Sequence, residues 1–298
     1  CKELSLLEQG LSGRLARPVS GQTEFVTLCA AQTPYEEADY VARTIARLVR
    51  EEGLRYREVA VIARSAEDYR GIIDAAFERY HIPCFMDRRK PLDYQPLMQF
   101  VTRALNIALY RFRSDDMFAC LKTGLWGLTV EEISLLENYT FVWGITGELW
   151  LVEWKSNPDG IGEGFSDSAR ERLVRINELR KRVTEPLAWF SDKLQSVSSA
   201  KEMARAVYLL LERVGAAEAL RDMANGLEKA LQPDEADVQR RTWDFLMHTL
   251  DQLAEFLEGE ECSPAGFQKF YTLLISAQDL GSIPQGEDEV SFGSAERM

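Results

Sequence analysis

Two arginines that follow a strongly apolar run are the residues of this sequence with the clearest possible chemical role, which is to bind a phosphate. Residues 59–63, VAVIA, are followed by Arg64, and Arg70 comes six residues later. An arginine is a permanent planar cation, and at the mouth of a sheet it can stabilise the charge of a nucleotide phosphate supplied by another domain. The alternative is a solvated helix arginine near Glu67 or Asp74. The sequence leaves both interpretations of Arg70 open.

A second group of cations could contact a DNA backbone. Arg88, Arg89 and Lys90 are consecutive, and Arg111 and Arg113 follow about twenty residues later. Contacts of this kind position a nucleic acid without reading its sequence. Three adjacent charges are equally stable in water, so a solvated loop is the favoured interpretation.

Aromatic residues crowd one short segment: Tyr139, Phe141, Trp143, Trp150 and Trp154. Such rings can stack on unpaired bases. More often they fill a core, and the spacings of seven and four between the three tryptophans would place them on one face of a continuous helix. Core packing is therefore the favoured interpretation.

The sequence contains no recognisable catalytic signature. No G-x-x-x-x-G-K-[ST] loop is present, and the glycines at 160, 162 and 164 neither follow a predicted strand nor fit the dinucleotide-binding spacing. Without a backbone cradle the chain cannot hold a nucleoside triphosphate by itself. Acidic clusters fall at predicted turns and helix ends, and His81 and His248 lack a nucleophile signature. We predict no catalytic and no metal-binding residue.

Strands and helices alternate in the first third of the chain, and this alternation must position the arginines. Thr33, Pro34 and Glu36 are a strong helix start signal. The predicted order is strand 23–31, helix 33–53, strand 59–63, helix 65–80 and strand 82–86. Such an order predicts a parallel sheet covered by helices.

From about Gln95 to Gln278 the periodicity is helical, and a strand-like run returns at EVSFG. A strand returning after a long helical block predicts that the block is inserted into the α/β domain. The fold class is α/β plus all-α. The predicted domains are a tail at 1–20, the first part of an α/β domain at 21–110, an inserted helical domain at 111–285 and a return strand at 286–298. The first residue, Cys1, and the ending GSAERM straight after the last strand predict an excised part of a longer protein.

Charge is distributed unevenly. Residues 1–113 carry 17 basic and 15 acidic residues, whereas residues 114–298 carry 18 and 33. A net charge of −15 in the second part argues against tight unaided DNA binding. The five cysteines form no C-x-x-C pair and lie mostly in apolar runs, which predicts reduced core thiols in a cytoplasmic protein.

The segment from Glu58 to Phe100, together with LKTGL at 121–125 and LENY at 136–139, resembles the AddB subunit of bacterial AddAB helicase-nucleases. The resemblance implies a partial RecA-like sheet from the second motor domain with a large helical insertion. It places Arg64 and Arg70 near nucleotide, and adds Lys122 of LKTGL to the DNA-binding candidates. For the parent complex it implies an AddA-like partner, DNA ends, ATP, Mg and an iron–sulfur cluster held outside this segment, with a function in double-strand break repair.

Two other functions remain open at this point. The chain could be a non-enzymatic helical interaction module on a small α/β domain, with the acidic half as a protein-binding surface. It could also be part of the motor subunit of a UvrD-like helicase, which a phosphate loop further upstream would identify.

Overall fold

The computed structural model describes residues 2–11, 23, 25–86, 90–162, 164–280 and 287–295. The described helices are α1 (Lys2–Leu11), α2 (Pro34–Glu51), α3 (Ile72–Arg79), α4 (Pro96–Leu109), α5 (Ser114–Leu121), α6 (Val130–Trp143), α7 (Asp167–Gln195), α8 (Ala200–Val214), α9 (Ala216–Lys229), α10 (Pro233–Phe256) and α11 (Pro264–Ser276). The described strands are β1 (Ala60–Ala63), β2 (Cys84–Met86), β3 (Lys90–Pro91), β4 (Asp279–Leu280) and β5 (Val290–Ser294). The fold is mostly helical with a small parallel sheet, as the α/β plus helical fold class predicted.

The chain divides into two compact units, one formed by residues up to 88 with those from 283 onward, the other by residues 89–282. The predicted α/β segment extended to residue 110, whereas helix α4 lies in the second unit. The predicted bounds of the inserted domain stay a prediction.

The first unit contains a three-stranded parallel sheet in the order β1-β5-β2. Val61 pairs with Phe292, and Cys84 pairs with Val290. The strand in the middle of the sheet is thus the one that returns after the helical block. The prediction that a strand after the helical block returns to the parallel sheet of the early strands is confirmed.

Helices α2 and α3 cover one face of this sheet. The Thr33 side chain accepts a hydrogen bond from the Glu36 backbone N–H at 3.3 Å, which starts α2 as predicted. The core of the unit consists of buried residues that lie mainly on both helices and β5: Ala38, Ala42, Ile45, Ile73, Ala76, Phe77, Ile82, Val290 and Phe292. On β1, Ile62 points to the opposite face and is 57% exposed.

Two local predictions were wrong. The predicted strand at 23–31 does not form in its described residues; Phe25 and Leu28 are 65% and 95% exposed, and no described strand pairs with them. The predicted helix 65–80 is broken, because Gly71 adopts a left-handed φ of +76° between the 3₁₀ turn Glu67–Tyr69 and α3.

The second unit is a helical assembly around one continuous core. Its first and last segments meet, since β3 pairs antiparallel with β4, and the Leu92 N–H donates to the Gln278 carbonyl at 3.3 Å. The buried Tyr271 hydroxyl of α11 donates to the Met98 carbonyl of α4 at 3.3 Å. The chain therefore enters and leaves this unit at neighbouring positions. The predicted turn at 281–286 lies outside the described residues.

Among the residues with described structure, no helix combines the length and the apolar character needed to cross a bilayer.

Phe292 lies on the middle strand of the sheet, and its side chain is buried in the core that α2 and α3 share with the sheet. We therefore expect Phe292→Ala to lower the unfolding free energy of the first unit by about 3–5 kcal/mol. Ile62→Ala, on the exposed face, should cost less than about 1 kcal/mol. Hydrogen exchange of the β1 and β5 amides measures both losses within the intact chain. Equal losses in the two variants would contradict a sheet covered on one face.

Candidate functional site

Arg64 and Arg70, the arginines predicted from the sequence, lie in the segment that leaves the carboxyl end of strand β1. All three strands run in the same direction, so the chain segments leaving β1 and β5 lie at one edge of the sheet. The Ala295 N–H donates to the Ala63 carbonyl at 2.8 Å, and the Ala66 N–H donates to the Ser294 Oγ at 3.0 Å. In open α/β sheets this edge is the usual ligand side.

Arg64 and Arg70 are both exposed at this edge. Arg70 forms an exposed ion pair with Glu67 at 2.8 Å, whereas Arg64 makes no ion pair with any residue that the structure describes. An exposed pair of this kind contributes between about 0 and 1 kcal/mol. It is weak enough for a phosphate to replace the carboxylate.

The loop that carries Arg70 is fixed at both ends. The Tyr69 hydroxyl donates to Glu37 Oε2 of α2 at 2.6 Å, and this hydrogen bond raises the pKa of Tyr69. The Gly71 N–H donates to Asp74 Oδ2 at 2.8 Å, so the N-terminus of α3 is already occupied by its own side chain. Among the residues described at this edge, the side chains of Arg64 and Arg70 are therefore what could contact an anion.

The remaining cationic candidates whose side chains the structure describes are paired with carboxylates. Arg88 and Arg89 lie outside the described residues, as does the side chain of Lys90. Arg111 pairs with Glu148 at 3.2 Å, Arg113 with Asp115 at 3.8 Å and Lys122 with Glu137 at 2.6 Å. Each of these three cations has its own carboxylate, and direct DNA contact by any of them stays a prediction.

The aromatic segment is mainly structural, as the core interpretation predicted. Tyr139 stacks on Trp154 with ring centroids 4.9 Å apart, and Trp150 meets Trp154 edge-on at 5.3 Å. Trp150 and Trp154 are buried, so neither can stack on a base. Phe141 is the exception at 88% exposed. The three tryptophans do not share one helix, because Gly144 ends α6 with a left-handed φ of +60°.

Sequence reasoning missed Arg180, which holds this aromatic cluster to α7. Its side chain is 4% exposed; Nη1 donates to the Trp150 carbonyl at 3.0 Å and Nε to Asn177 Oδ1 at 3.1 Å. Burial lowers the pKa of Arg180. The signal in the sequence was its position on the apolar stripe of α7, four residues after Ile176 and three before Val183.

The cysteines are partly as predicted. Cys120 and Cys262 are buried, Cys84 is half-buried, and Cys29 is exposed, so the predicted core placement is wrong for Cys29. Burial raises the pKa of Cys120 to about 12 and also raises that of Cys262. Within the described parts of the chain no group of His, Cys, Asp or Glu side chains could hold a metal ion.

The fold therefore defines a class: a parallel α/β unit that is interrupted in sequence by a helical unit, with Arg64 and Arg70 exposed where the chain leaves strand β1. No protein-family model matches the chain. The chain is 32% identical over 297 residues to the B subunit of the ATP-dependent helicase/deoxyribonuclease of Clostridium novyi, covering 99% of the chain and 25% of that protein. The corresponding protein of Acetivibrio thermocellus is 31% identical over 298 residues, and that of Clostridioides difficile is 30% identical over 299 residues, each with 26% of its length covered.

This chain is thus a homologue of the B subunit of ATP-dependent helicase/deoxyribonucleases, and the resemblance to the AddB family is confirmed. It spans about a quarter of the length of the curated relatives it matches.

We expect Arg180→Met to destabilise the second unit by roughly 1.5–3 kcal/mol, because the variant keeps an unbranched apolar stem but removes the charged donor to buried acceptors. Urea unfolding followed by near-ultraviolet circular dichroism reports on the tryptophans around it. Lys181→Met, at the exposed neighbouring position, is the matched control and should change little. If the two variants behaved alike, the guanidinium contacts would not matter for stability.

Proposed function

We propose that this chain is a segment of the B subunit of an ATP-dependent helicase-nuclease that unwinds and resects double-stranded DNA ends for recombinational repair. The relatives, each named as the B subunit of an ATP-dependent helicase/deoxyribonuclease, match it over nearly its whole length. The observation that carries the proposal is the parallel sheet β1-β5-β2, whose carboxyl edge exposes Arg64 and Arg70 and has no enclosing cradle among the residues described there. Such an edge suits a domain that contributes to a site shared with another.

The sheet is, in this proposal, part of the second RecA-like domain, and the helical unit is its insertion. Two features support this assignment. The middle strand of the sheet follows the helical unit in sequence, and β3 and β4 bring the ends of that unit together. An insertion requires its two ends to lie close to each other.

This segment has residues that could contact ATP, but its described residues do not form a site for Mg or for an iron–sulfur cluster. For ATP the described residues of the sheet offer Arg70 and Arg64 as cations toward a phosphate; bound ATP would supply the free energy for strand separation. For Mg or an iron–sulfur cluster the donor sets do not fit, since the described carboxylates, histidines and cysteines are not gathered. In this proposal both are held by other parts of the protein or by its partner.

The helical unit acts, in this proposal, as a scaffold along the DNA path or at the interface with an AddA-like subunit in the cytoplasm. Its acidic excess and its paired cations favour contact with protein over contact with phosphate. The same observation keeps the non-enzymatic interaction module as the second candidate. For a UvrD-like motor subunit the described residues add no separate support.

We expect the isolated chain to show no ATPase or nuclease activity and to bind single-stranded DNA only weakly. The reason for the weak binding is electrostatic, since residues 114–298 carry 33 acidic against 18 basic residues. Fluorescence anisotropy with a labelled oligothymidine across a salt series measures the affinity. Tight binding that resists salt would contradict the scaffold role.

In the full-length protein assembled with its partner, we expect Arg70→Ala to slow ATP-dependent unwinding on the order of tenfold or more, because a cation facing phosphate is lost. Thermal stability should not change, since the Arg70–Glu67 pair is exposed. Arg79→Ala removes a similarly exposed arginine, paired with Asp39 at 3.3 Å, and serves as the control. Unaltered unwinding by Arg70→Ala would make Arg70 a solvated surface arginine, and a loss of stability would make it structural.

A further inference from the structure

A cleft lies on the second unit between helices α9 and α10. Its volume is about 520 Å³, within the range of pockets that hold ligands. Ala217, Leu220 and Trp243 supply its apolar surface. Leu220 is buried and Trp243 is half-buried against the main core, so this apolar surface is continuous with the core of the unit. Neither the proposed motor site nor the aromatic cluster uses this cleft.

The rim of the cleft carries arginines whose charge is already balanced. Arg221 pairs with Glu218 at 3.1 Å, and Arg240 pairs with Glu228 at 2.5 Å. A phosphate would have to displace both carboxylates and then lie beside them. The cleft therefore does not suit a nucleotide or a DNA backbone.

The two helices that form the cleft are acidic as a whole, and the lining charge that lacks an ion-pair partner among the described residues is the negative one, Asp244. Helices α9 and α10 together carry nine Asp or Glu residues and four Lys or Arg residues. Asp244 lines the cleft and makes no ion pair with any residue that the structure describes. A ligand that is apolar at its centre and positive at its edges would complement this surface.

We propose that the α9–α10 cleft docks a basic amphipathic helix of a protein partner. Apolar side chains of that helix, spaced three and four residues apart, contact Leu220 and Trp243, and its lysines or arginines face Asp244 and the surrounding carboxylates. Trp and Arg side chains in a recessed site are the usual centre of a protein interface. A helix laid into a groove between two helices is a recurrent recognition mode. The proposal does not depend on the motor assignment.

The test measures binding of three fluorescein-labelled probes to the full chain by anisotropy. They are an 18-residue helical peptide with leucines on one face and lysines elsewhere, the same peptide with glutamates in place of the lysines, and a twenty-nucleotide oligothymidine. We expect the lysine peptide to bind at least about tenfold more tightly than the other two. Preferred binding of the oligothymidine would overturn the proposal in favour of a nucleic-acid site.

Variants separate the cleft from general attraction to an acidic protein. Ala217→Phe fills the cleft from its half-exposed wall without removing core atoms, and Asp244→Lys reverses its unpaired charge. Each should weaken binding of the lysine peptide on the order of tenfold. Ala265→Phe on α11 and Asp192→Lys on α7 make the same changes at positions away from the cleft and should leave affinity unchanged. Equal effects of test and control variants, or no binding of the lysine peptide, would overturn the proposal.

Discussion

Strand β5 forms backbone hydrogen bonds with both β1 and β2, and the first unit depends on this pairing because β1 and β2 do not pair with each other. The segments that pair are separated in sequence by the whole helical unit. Closing a disordered loop of roughly 190 residues would cost about 5 kcal/mol of chain entropy. Folding of the helical unit with β3 beside β4 removes most of that cost, because the ends of the loop are then already neighbours. Formation of the sheet and folding of the helical unit are thus coupled through the chain.

The sequence predicted the elements whose signals are local. Thr33 and Pro34 start α2, and the apolar run at Val59 and the strand-like run at Val290 both form strands. Prediction failed where a partner decides the structure. Residues 25–31 have an apolar alternation but no described strand to pair with, whereas β3 and β4 are two residues long and too short to show any alternation.

The residues of the candidate site and of the aromatic cluster also differ in how far the sequence predicts their contacts. The position of Arg70 after a strand could be predicted from spacing, and so could its ion pair with Glu67, three residues away. The function of Arg180 could not, because its acceptor is the carbonyl of Trp150, thirty residues earlier in a segment without long regular structure. A charged residue on an apolar stripe indicates a buried partner but does not say which one.

Arg70 and Arg180 show how burial determines the function of one residue type. Arg180 has lost nearly all contact with water, and among the described residues its hydrogen-bond acceptors are the neutral oxygens of Trp150 and Asn177. Its desolvation is costly, and the result is a fixed position for the aromatic cluster. Arg70 keeps most of its hydration, and its ion-pair partner Glu67 is exposed as well. Exchanging that carboxylate for a phosphate costs little, which is what the proposed contact of Arg70 with a nucleotide phosphate requires.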